Sequence, residues 1–151
     1  MVRRGTRACK DGARPGEWGD SFGGGVMTLV SAGILLRCEG KILLLRRTGN
    51  RAGTWGLPGG RLDSHEGPRE GALREAEEEI GSLPPARERD RLTVPRGGRG
   101  KCRVFVLDVC KTARKGWAPR LNHEHDRWIW ADRAWIRKHR RQMHPVVLAV
   151  I

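Results

Sequence analysis

The chain has 151 residues, with 30 lysines and arginines against 17 aspartates and glutamates, a formal net charge of +13. That length suits one domain with its own core, and the charge favours polyanionic partners: nucleic acid, nucleotides or an anionic membrane surface. No apolar run approaches the roughly 20 residues needed to cross a bilayer, so no membrane span is expected.

Residues 1–25, "MVRRGTRACKDGARPGEWGDSFGGG", lack apolar periodicity and read as a disordered basic, glycine-rich arm. The domain proper is expected over 26–151, with Met27 a candidate start. "VMTLVSAGILLR" and "KILLLRR" are β-rich and joined by a short turn at Glu39 and Gly40, which predicts a hairpin in a buried sheet. A long glycine-rich loop follows. Pro68 then opens a helix that runs to about Ile80, where Gly81 ends it. "SLPPARERD" reads as a breaker, "LTVPRGGRG" as a short strand and loop, and "KCRVFVLDVC" as a strand. "KTARKGWAPRLNHEHD" reads as a second long loop before the strand "RWIWA". The C-terminal stretch predicts one or two helices broken near His144-Pro145. Helices and strands are mixed, so the expected class is α/β or α+β.

The four cysteines show neither a CxxC pair nor zinc spacing, and are read as reduced thiols in a cytoplasmic protein. The basic residues are spread along the chain, which disfavours nucleic acid as the partner without removing it.

The acidic residues, by contrast, are concentrated. "REAEEEIG" places Glu75, Glu78 and Glu79 on one helix face, while Ala72, Ala76 and Ile80 supply the packing flank. Such a face is either a solvated surface or a set of oxygen ligands for a hard divalent cation. Glu77 lies between the groups and is read as solvated.

The flanks extend this pattern. Gly60, Glu66, Arg74, Glu75, Glu78, Glu79 and Gly81 occupy all seven fixed positions of G-x5-E-x7-R-E-U-x-E-E-x-G-U, with U a bulky aliphatic residue. Ala76 is small for its aliphatic position, and Ser82 departs from the pattern. The chain thus resembles the Nudix hydrolases, from about Val26 to the C-terminus, with the box itself at Gly60 to Ser82.

The resemblance implies a mixed β-sheet between helices, with the box forming a loop–helix–loop. It implies that Glu75, Glu78 and Glu79 hold Mg2+ or Mn2+, and that a carboxylate, Glu75, Glu78 or the loop residue Glu124, acts as general base. It makes Gly60, Glu66, Arg74 and Gly81 structural, with Arg74 and Glu66 paired. The implied reaction is hydrolysis of a pyrophosphate bond in a nucleoside diphosphate linked to another moiety, by a monomer or homodimer. For the substrate, Arg46, Arg47 and Arg61 are candidate phosphate ligands and Trp55 a candidate pocket wall, with Trp117, Trp128, Trp130 and Trp135 as further stacking candidates. His123 and His125 are candidate helpers of Glu124; His139 and His144 are read as structural or solvated. The rival readings are a catalytically silent Nudix-fold module that binds nucleotide or RNA, and an isomerase on the same fold. Retention of every box carboxylate favours the hydrolase.

Overall fold

The computed structural model describes residues 28–98 and 100–151. The arm expected at 1–25 lies outside the described residues. Among the described residues, seven strands form one mixed sheet: β1 (Leu29–Cys38), β2 (Lys41–Arg47), β3 (Trp55–Gly56), β4 (Gly59–Arg61), β5 (Arg87–Pro95), β6 (Lys101–Asp108) and β7 (His125–Asp132). The helices are α1 (Pro68–Ile80), α2 (Lys111–Lys115), α3 (Arg133–Lys138) and α4 (Pro145–Val150). None is long and apolar enough to cross a membrane.

The apolar runs of β1 and β2 are continuous because both faces of the sheet are covered. Ile34, Leu36, Leu43, Leu45 and Phe105 face α1, where they meet Ala72, Ala76 and Ile80. Leu35, Ile42, Leu44, Val104 and Val106 face the other way, onto Ile136, Met143, Val146 and Val147. The period of two thus splits one apolar run between two cores.

The β1–β2 turn is the expected one. Glu39 and Gly40 both have positive φ, 49° and 77°, as a two-residue hairpin turn matched to strand twist requires. Beyond it the two strands soon part. They pair only near the turn, through Arg37 with Ile42 and Cys38 with Lys41. β4 then pairs with β1, and β3 with β2. This wedge between the two long strands creates the concave region described below. β1 pairs in parallel with β6, which makes the sheet mixed.

Two loop expectations change. "ARERD" is not wholly a breaker, since β5 starts at Arg87. β5 ends the strand order, and an edge strand tolerates charges that mask its apolar alternation. The second long loop also contains the five-residue helix α2. The break at His144-Pro145 is observed, with Pro145 opening α4.

Ser82, the departure from the box pattern, is exposed. The helix exit is nevertheless fastened: Gly81 has φ 77°, the Arg120 N–H donates to the Ile80 carbonyl at 2.8 Å, and the Trp117 indole donates to the Ser82 carbonyl at 2.7 Å. Hydrogen bonds hold the exit where the pattern would place an aliphatic contact.

Candidate active site

A cavity of about 550 Å³ opens at the wedge between β1 and β2. Glu75 and Glu79 reach it from α1, Glu124 from the loop before β7, and Gly59 and Gly60 from β4. These residues are brought together although 64 positions separate Gly60 from Glu124.

Arg74 organises the acidic side. It grips Glu66 through two bonds, Nε to Oε2 at 3.0 Å and Nη2 to Oε1 at 2.7 Å. The Asp63 N–H also donates to Glu66, at 2.9 Å. The Arg74 guanidinium, helped by that N–H, holds the Glu66 carboxyl down at about 2. The same guanidinium donates to Glu75 at 3.0 Å and to Glu78 at 3.4 Å. One cation therefore ties the box loop to the helix and separates like charges.

Glu79 is only 3% exposed. Burial pushes its carboxyl up to about 8, against the opposing bond from the Gly59 N–H at 3.4 Å; Glu124 and Glu75 push it the same way as burial. Burial also raises Glu75, which Arg74 partly offsets. His125 lies 3.8 Å from Glu79, and burial with Arg47 favours its neutral ring. Both shifts disfavour an ion pair at this contact.

The oxygen-rich set suits a hard divalent cation. Among the described residues, no three acid, histidine or cysteine side chains already converge closely enough to hold one. Glu75 and Glu79, with Glu124 facing them, are the residues that would hold it, supplemented by water and phosphate oxygens as Mg2+ binding usually is. Gly60 leaves the space this needs, since a Cβ there would meet Glu75 Oε2 at 2.6 Å.

The remaining candidates divide. Arg61 lines the cavity, as does Arg47. Glu78 stays at the margin, its side chain 57% exposed and turned to Arg74. Arg46 is a correction: both of its bonds, at 2.8 Å, go to Asp126, and it does not line the cavity. Neighbouring residues on a strand face opposite ways, so Arg47 reaches the cavity where Arg46 does not. Trp55 is also a correction, being buried in the second core edge-to-face with Trp135 at 5.4 Å. Trp130 packs on Trp117, Trp135 stacks on His139, and Trp128 is exposed. Among the described residues, no tryptophan lines the cavity.

Arg51, Arg96 and His144 also line the cavity and had no signal in the sequence. They come from three separate turns, and no local spacing relates them. Burial, with the charges of Arg51, Arg96 and Arg47, pushes His144 down to about 4. Its Nδ1 accepts the Val146 N–H at 3.1 Å, which also requires the neutral ring. A histidine depressed in the folded state stabilises fully above its unfolded value of 6.5 and loses that contribution as pH falls toward 4. His144→Asn keeps a capping acceptor. Urea unfolding at pH 7.5 and 4.5 is expected to show the wild type losing on the order of 3 kcal/mol more than the variant.

The family model for the NUDIX domain matches residues 27–149. A protein of Mycobacterium tuberculosis described as a putative 8-oxo-dGTP diphosphatase 3 is 48% identical over 58 residues, 34% of this chain and 27% of that protein. The match thus spans about a quarter of that relative's length. A Nudix hydrolase structure from M. smegmatis superposes with TM-score 0.56 at 27% identity, covering 78% of this chain and 77% of that one. The C. elegans Ap4A hydrolase binary complex gives TM-score 0.60 at 21% identity, over 72% and 83%. The family match over most of the chain, on a fold these structures share, makes this protein a member of the Nudix family.

Proposed function

We propose that the protein is a metal-dependent pyrophosphohydrolase acting on a nucleoside diphosphate linked to another moiety. The observation that carries this reading is the meeting of Glu75, Glu79 and Glu124 in one cavity beside the box loop. The similarity to proteins described as a diphosphatase and an Ap4A hydrolase supports the same class.

A divalent cation, when bound, supplies charge neutralisation at the phosphoryl oxygens and a more acidic water. Glu75 and Glu79 hold that charge in place. Glu124 is the base we assign, because it lines the cavity without an arginine partner among the described residues, whereas Arg74 takes Glu75 and Glu78. It would accept the proton of the attacking water. The Thr48 N–H fixes the Glu124 carbonyl at 2.9 Å, and the Glu124 N–H donates to Asn122 at 3.0 Å. Its loop is therefore anchored at the cavity edge. Arg47 and Arg61 would orient phosphate oxygens. Three free cysteines among the described residues agree with a reducing, cytoplasmic setting.

The test is phosphate release from a panel of triphosphates, nucleotide sugars, ADP-ribose and dinucleoside polyphosphates, with a coupled phosphatase. Cleavage is expected with Mg2+ or Mn2+ and should vanish with chelator. Binding without turnover anywhere in the panel would replace this reading with the silent binding module.

A further inference from the structure

Beyond the acidic helix, three arginines and a histidine also line the cavity. Arg47 ends β2, Arg51 lies in the 3-10 turn after it, Arg96 begins the β5–β6 turn, and His144 caps α4. Among the described residues, no carboxylate lies within ion-pair distance of these three arginines. Arg47 Nε is buried with no hydrogen-bond partner. Like charges gathered around a buried, unpaired donor are costly unless an anion completes them. The neutral His144, accepting at Nδ1, keeps Nε2–H as one more donor.

The two walls together indicate the charge of the occupant. A cation held by the glutamates offsets the linkage being cleaved. A diphosphate capped by a neutral sugar has little charge left for the arginines. A terminal phosphate adds roughly 1.5–2 negative charges and three acceptor oxygens.

We infer that Arg47, Arg51, Arg96 and His144 form an anion subsite for the terminal phosphate of a nucleotide with three or more phosphates, favouring such substrates over diphosphates capped by a neutral group. The substrate class rests on the pyrophosphohydrolase reading; the anion subsite rests on the cluster alone.

The test compares wild type with Arg51→Gln/Arg96→Gln. Calorimetry with inorganic tripolyphosphate, in chelator, reads the subsite without turnover. In parallel, kcat/KM is measured for a nucleoside triphosphate and a nucleotide sugar. The double variant should bind tripolyphosphate about tenfold more weakly or worse, the scale of losing charge-assisted hydrogen bonds. Its triphosphate-to-sugar ratio of kcat/KM should fall similarly. Equal tripolyphosphate affinity, or an unchanged ratio, in the folded variant would overturn the subsite. If neither protein turns over but only wild type binds tripolyphosphate, the subsite stands and the hydrolase reading falls. Stronger binding of the triphosphate than of tripolyphosphate by Glu79→Gln assigns the site to nucleotides; the reverse order overturns that assignment. Should the double variant not fold, Arg51→Gln alone carries the test, since Arg51 is exposed.

Discussion

Glu79→Gln is expected to abolish hydrolysis while making the metal-free protein more stable. The loss of turnover should reach at least about 10²–10³-fold, the scale seen when one preorganised electrostatic element is removed from a site. The gain in stability follows from the same burial. A carboxylate raised to about 8 binds its proton more tightly in the folded state than its ordinary value of 4.5 allows when unfolded. Its contribution is therefore present below pH 4.5 and lost as pH rises through 8. For the metal-free wild type that loss is on the order of 4 kcal/mol. Glutamine keeps the shape without the charge, so the variant should unfold later at pH 8.5 and little differently at pH 4.5. Added Mg2+ should stabilise only the wild type. Thermal melts at the two pH values, with and without Mg2+, check all of this. A variant less stable than wild type at pH 8.5 would mean that Glu79 serves the fold and not a cation.

The adjacent glycines should separate fold from chemistry. Gly59 has φ 155°, and a Cβ there would come within 2.4 Å of the Ala32 carbonyl oxygen and 2.5 Å of Gly33 Cα. Both neighbours are β1 backbone and cannot swing away. Gly59→Ala should therefore cost about 3 kcal/mol or more, with a fall in Tm on the order of 10 °C. At Gly60 the new Cβ would instead meet Glu75 Cδ at 2.5 Å, the end of a flexible side chain. Gly60→Ala should keep nearly all stability and lose about 10²-fold in kcat, because a displacement near 1 Å is enough to spoil alignment. Melting curves and single-turnover rates on both variants distinguish the two effects. Equal losses of Tm would refute the separation.

The box was legible because one helix turn repeats its carboxylates at fixed offsets, and one loop returns Glu66 to Arg74. Periodicity marked the hairpin, α1 and β6 for the same reason, since each buries a regular face. β5 was obscured because an edge strand carries charge where a central strand carries valine or leucine. Trp55 is not legible as core, because an aromatic residue in a glycine-rich loop looks available, whereas β3 folds it against Trp135. Arg46 and Arg47 differ only in which way the pleat turns them. Arg51, Arg96 and His144 became neighbours through tertiary folding alone, so no spacing in the chain could have announced them.

The wedge between β1 and β2 opens to both layers of the protein. Glu75 and Glu79 enter from the helix on one face, and Arg96 and His144 from turns tied to the other. On the proposed reading, bond breaking and substrate reading would be lodged in separately packed halves. Drift in the second half can change the diet of such an enzyme while its reactive machinery is inherited intact.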